Sequence, residues 1–78
     1  MARLARELDA RNLICPMPVI RAQEHIKRLA PGDEFEVLAT DPGALHDIPA
    51  WCRIHGHRII STEENGTDIR MRIRVGDP

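Results

Sequence analysis

Cys15-Pro16-Met17-Pro18, running into Val19-Ile20-Arg21-Ala22, is the stretch on which the reading of this chain turns. Two prolines one residue apart do not belong in a helix interior, because each lacks an N–H donor and crowds the carbonyl four residues back. Helical spacing nevertheless begins at Val19, so both prolines must lie in the first turn. With Cys15 as the N-cap, Pro16 is the first helical residue and Pro18 the third, positions whose N–H has no partner inside the helix. Met17 precedes a proline and is pushed away from the α region, so some local strain is expected at this turn.

A thiol at a helix N-terminus faces the positive end of the macrodipole, which favours thiolate and is expected to draw the pKa below the free value of about 8.5. The prolines limit the effect, since mainly the N–H groups of Cys15 and Met17 are left to face the sulfur. Cys15 is therefore expected to be a moderately activated nucleophile. The competing reading is a small buried hydrophobe that happens to cap a helix. Cysteine caps poorly beside Ser, Thr, Asp or Asn, and that favours the nucleophile.

Upstream, Leu4, Arg6, Leu8 and Ala10 share one alternation, which predicts a short strand centred on Glu7 to Asp9. Arg11-Asn12 turns the chain, and Leu13 or Ile14 is placed to staple the first helical turn. Downstream, Val19, Ala22, Ile26, Leu29 and Ala30 fall on one face and predict a helix from Pro16 to Leu29, stopped by Pro31-Gly32. Its polar residues, Arg21, Glu24, His25, Lys27 and Arg28, lie mostly off that face. Phe35, Val37 and Ala39 alternate with Glu34, Glu36 and Leu38 in a strand over Glu34 to Thr40.

Asp41-Pro42-Gly43 is a turn, and Leu45, Ile48, Trp51 and Cys52 predict a second helix over Leu45 to His55, closed by Gly56. Pro49 belongs in its first turn, which makes Asp47 the working cap and leaves Asp41 as the other capping candidate. Ile59 and Ile60, then Ile69, Met71, Ile73 and Val75, mark two more strands joined by a hairpin at Glu64-Asn65-Gly66. The order is βαβαββ. Two helices on one face of a mixed four-stranded sheet make a two-layer α+β sandwich, with Arg70, Arg72 and Arg74 covering the opposite face as solvated positions.

Seventy-eight residues suit one domain spanning 1–78 with a small core. Eleven Lys and Arg against twelve Asp and Glu create no field that would attract nucleic acid. Phe35 and Trp51, the only aromatics among Phe, Trp and Tyr, offer little for base stacking. No apolar run approaches the roughly 20 residues of a membrane span, and two cysteines with no signal segment point to the cytoplasm. Cys52 falls on the apolar side of the second helix beside Trp51, as a structural thiol does. A zinc site from Cys52 with His46, His55 and His57 is disfavoured, because C-x₂-H-x-H lacks the usual paired spacing.

Beyond these local readings, LDARNLICPMPVIRA (8–22) and LAPGDEFEVLATDPGALHDIPAWCRIHGHRI (29–59) together resemble the TusA (SirA-like) sulfurtransferase family. The resemblance spans Leu8 to Val75 and is carried by Leu8-Asp9, Cys15-Pro16-x-Pro18, Pro31-Gly32, Asp41-Pro42, Asp47-Ile48-Pro49 and Gly56-His57 in order. It implies the same βαβαββ sandwich, similar to the C-terminal domain of bacterial translation initiation factor 3. It also implies that Cys15 accepts a sulfane sulfur as a persulfide and passes it on, with Pro16, Met17 and Pro18 as the supporting motif. No metal or organic cofactor is required. Asn12 replaces a glycine common in the family and, of the other residues, best tolerates a left-handed backbone.

The partners so implied are proteins: a rhodanese or cysteine desulfurase as donor, and a DsrE-like or other relay protein as acceptor. Asp41, Asp47 and Arg21 are candidates for docking them, and monomer is the default for a carrier that must expose its sulfur. Two other classes compete. A regulatory binding module would not depend on the thiol, and a thiol-disulfide oxidoreductase would pair Cys15 with Cys52 despite the missing C-x-x-C.

Overall fold

A computed structural model of the chain describes residues 7–76. Leu4 and Arg6, expected in the first strand, lie outside this range. The elements are β1 (Glu7–Ala10), α1 (Met17–Ile26), β2 (Glu34–Ala39), α2 (Ala44–His55), β3 (Arg58–Asn65) and β4 (Asp68–Arg74). The sheet order is β1-β2-β4-β3. β1 runs parallel to β2, and β4 is antiparallel to both β2 and β3. This is the expected mixed βαβαββ sheet.

Alternation sets the two faces of this sheet. Phe35, Val37 and Ala39 of β2 stand opposite Ile73, Met71 and Ile69 of β4, and all six are buried. They form one apolar cluster with Ala22 and Ile26 of α1 and Ala44, Ile48 and Cys52 of α2, which places both helices on this face. On the other face the same register sets Glu34 beside Arg74 and Glu36 beside Arg72. The alternating arginines thus become a ladder of ion pairs. Arg70 bonds Glu36 and Glu7, Arg72 reaches Glu34 and Glu36, and Arg74 holds Glu34.

Several boundaries differ from the sequence reading. α1 is capped by Pro16 instead of Cys15 and ends at Ile26 instead of Leu29. Beyond Ile26 the chain tightens into i→i+3 turns, Arg28 N–H to His25 and Leu29 N–H to Ile26. The loop that follows is held by the Asp33 carboxylate, which accepts the Ala30 N–H at 2.9 Å. Pro18 is buried and Ala30 exposed, so the packed face is shifted toward the start of the helix. Leu13 packs against the core while Ile14 is 72% exposed, which leaves Leu13 as the anchor before the helix.

α2 begins at Ala44 with Gly43 as N-cap and no side-chain cap, and Pro49 lies inside it. The proline sits in the second turn, where its missing N–H costs only the bond to Leu45. Asp47, expected to cap a later start, is in the first turn with its side chain free for another partner. The hairpin loop is Gly66-Thr67, one residue later than expected, because Asn65 still pairs with Asp68. Gly66 supplies the positive φ of 64° that the loop needs.

Candidate functional site

Parallel pairing of β1 and β2 brings two helix beginnings together. Ala10 stands opposite Ala39, so the segment leading to α1 and the segment leading to α2 leave the sheet side by side at the carboxyl ends of these strands, where open α/β sheets place their sites. Asn12, at φ 66°, turns the first segment and donates its N–H to Thr40 Oγ1 at 2.8 Å. The left-handed turn expected of Asn12 is thus present and tied to the neighbouring loop.

Cys15 is exposed in the turn before α1. Its backbone N–H donates to Asp41 Oδ2 at 3.1 Å, and its thiol donates to Asp47 Oδ2 at 2.8 Å. Gly43 closes the gap between them. A Cβ there would meet Asp41 Oδ2 at 3.1 Å, Asp47 Oδ2 at 3.7 Å and the Cys15 Cβ at 3.7 Å. Thiol, two carboxylates and a glycine therefore form one compact group.

This arrangement reverses the expected electrostatics of the thiol. The two N–H groups counted on to face the sulfur are occupied: that of Cys15 by Asp41 and that of Met17 by the Ile14 carbonyl at 2.8 Å. The hydrogen bond to Asp47, then desolvation, then the charges of Asp47 and Asp41 raise the Cys15 pKa above its ordinary value. A carboxylate in contact outweighs a dipole whose nearest donors are missing or engaged. The site thus favours the protonated thiol of Cys15, against the moderate activation expected from its place before the helix.

The remaining candidates divide clearly. Asp41 and Asp47 turn toward Cys15, whereas Arg21 is exposed on α1 and takes no part in the group. Met17 is half-buried, Pro16 exposed and Pro18 buried, so Pro18 anchors the motif in the core while Pro16 stays at the surface. Cys52 is 1% exposed, and burial pushes its pKa up to about 11. His55 and His57 lie with ring centroids 4.7 and 5.2 Å from that of Trp51. His57 Nδ1 accepts the Gly76 N–H at 3.0 Å, which ties down the segment after β4.

Sequence reasoning found Cys15, Asp41 and Asp47 one by one but not their union, and it placed Gly43 in a turn without bringing it to the site. The available signal was the βαβ order, since adjacent parallel strands bring successive loops to one end of the sheet.

Comparison with known proteins places the sequence and the fold. The family model described as Sulfurtransferase TusA matches residues 6–75. The sulfur carrier protein TusA of Allochromatium vinosum is 34% identical over 74 residues, 95% of this chain and 97% of that protein. The putative sulfur carrier protein YrkF of Bacillus subtilis is 39% identical over 69 residues, 88% of this chain, and the match spans only 37% of YrkF's length. The crystal structure of a SirA-like protein from Desulfitobacterium hafniense superposes with a TM-score of 0.78 at 25% identity, covering 91% of this chain and 97% of that one. With the model match running through both loops of the site and the sandwich beneath them, the chain belongs to the TusA sulfurtransferase family.

Proposed function

We propose that this sulfur carrier takes up a sulfane sulfur as a persulfide on Cys15 and delivers it to a cysteine of a partner protein. The observation that carries this reading is the exposure of the Cys15 thiol at the end of the sheet, while Cys52 is enclosed. Only an exposed sulfur can be reached by a second protein's cysteine.

Loading balances without an added oxidant. A lone pair on Cys15 Sγ attacks the terminal sulfur of a donor persulfide R–S–SH. The Sγ–S bond forms as the donor S–S bond breaks, and the bonding pair leaves with R–S⁻. The proton given up by the Cys15 thiol ends on that departing sulfur, leaving Cys15–S–SH and R–SH. Unloading repeats the exchange with an acceptor thiolate. A rhodanese or cysteine desulfurase suits the donor role and a DsrE-like relay protein the acceptor role, with transfer occurring within their complexes. Asp41 and Asp47 line the docking face around the sulfur, and Arg21 extends it along α1.

Mass spectrometry of protein incubated with a donor tests the reading. Wild type is expected to gain about 32 Da per sulfur on the peptide containing Cys15, and Cys15→Ser to gain none. A load on Cys52, or an unchanged load in Cys15→Ser, overturns it.

A further inference from the structure

We propose that Asp47 is the residue that distinguishes the empty from the loaded carrier, holding the bare Cys15 thiol protonated against α2 and turning a loaded persulfide outward to solvent. The proposal rests on Cys15 being the sulfur-bearing residue. It deepens that reading by giving Asp47 a role on the reacting atom itself, separate from any contact with a partner.

The geometry is specific to Asp47. Of the two carboxylates beside the sulfur, Asp41 is engaged with the Cys15 backbone N–H and fixes the loop. Asp47 alone accepts from the thiol. Among the described residues no salt bridge joins either carboxylate to a cation, so no paired positive charge offsets theirs beside the sulfur. Among the described residues the charged groups that act on Cys15 are these two, both supplied by the β2–α2 side, and none of them belongs to α1. Gly43 lets the carboxylates approach this closely, because a side chain there would crowd both.

The two states of Cys15 respond oppositely to the same neighbour. The empty thiol is a neutral donor and satisfies Asp47, so its nucleophilic form is suppressed and stray electrophiles find little thiolate. A persulfide is a stronger acid than the corresponding thiol, and its terminal sulfur ionises. Having lost its proton it can no longer donate to Asp47, and its negative charge is repelled by both carboxylates. Rotation about the Cys15 side chain then carries the terminal sulfur away from α2, where an acceptor can reach it.

The test compares alkylation of Cys15 by iodoacetamide in the empty protein and in protein loaded with inorganic polysulfide, for wild type and Asp47→Asn. The wild-type empty thiol, a measurement that needs no variant, is expected to react with a pH midpoint above the free-thiol value of about 8.5. Asp47→Asn is expected to lower that midpoint by about one unit or more, raising empty-state alkylation at pH 7 about tenfold. Because the loaded sulfur does not gain, the loaded-to-empty rate ratio falls by a similar factor. A wild-type midpoint below that of a free thiol, or a ratio unchanged by Asp47→Asn, overturns the proposal. Failure of Cys15 to take the polysulfide sulfur would overturn the persulfide reading instead, while the empty-state profile still reports on Asp47.

Discussion

Cys15 lies exposed beside two carboxylates, and Cys52 lies 1% exposed within the apolar layer, so the two sulfurs are held protonated for different reasons. The hydrogen bond to Asp47, with desolvation and the carboxylate charges behind it, acts on the first, and desolvation alone on the second. For both, the folded pKa is raised above the unfolded one. Their contribution to stability is therefore fully present below about pH 8.5 and is lost as pH rises through the folded value, which for Cys52 is about 11. Iodoacetamide at pH 8.5 is accordingly expected to label Cys15 alone in the native protein, with Cys52 labelled only after addition of denaturant. Equal labelling of both in buffer would contradict the burial of Cys52. Asn12 is the other residue whose local demand is strong, since φ 66° costs most side chains about 1–2 kcal/mol. Asn12→Ala is expected to lower unfolding free energy by about 1 kcal/mol, while Asn12→Gly stays within a few tenths, as measured in urea.

At the scale of elements, the ends of helices and strands are tied to one another by single polar contacts. The Gly32 N–H bonds the Val75 carbonyl and the Val75 N–H bonds that of Asp33, each at 2.8 Å, which fastens the end of β4 to the start of β2. Gly56 closes α2 at φ 83°, and Gly76 lies so close to it that a Cβ would overlap the Gly56 carbonyl. The Gly76 N–H then reaches His57 Nδ1, which accepts only when the imidazole is neutral at that nitrogen. Burial, and next the charge of His55, hold the His57 pKa below its ordinary value. With the folded value depressed, this tie is present above about pH 6.5 and is lost as pH falls through the folded value. The protection factor of the Gly76 amide, the exchange rate corrected for the intrinsic base-catalysed rate at each pH, is expected to fall on acidification through that range, and in His57→Gln, which keeps an acceptor, to stay level.

Over the whole molecule, stability rests on one apolar layer between the helices and the sheet. A chain of this size has an unfolding free energy of about 4–12 kcal/mol, and Phe35, 0% exposed near the start of β2, is among the largest side chains in that layer. Phe35→Ala is expected to cost about 3–5 kcal/mol, enough to leave much of the protein unfolded at 37 °C by far-UV circular dichroism. The opposite face behaves differently. Its ion pairs lie on exposed or half-exposed arginines, where water and salt screen them. Raising ionic strength is therefore expected to leave the urea midpoint nearly unchanged, since the ladder covers the sheet more than it holds it. No helix among the described residues is long and apolar enough to cross a membrane.

Local patterns were enough to place the strands, the two helices, the buried Cys52 and the exposed face of arginines, because side-chain alternation and helical spacing are properties of neighbours along the chain. Boundaries moved where tertiary packing competed with those patterns. Pro18 packed into the core and Ile26 ended its helix early, and α2 began at Ala44 with Pro49 inside it. The TusA-like order of motifs was likewise legible in one dimension. The state of the Cys15 sulfur was not, because its partner lies 32 positions away and is brought to it only by the parallel pairing of β1 with β2. Sequence alone determined that a cysteine stands before a helix. The fold decided that a carboxylate holds its proton, since electrostatic energy depends on distance through space and not along the chain.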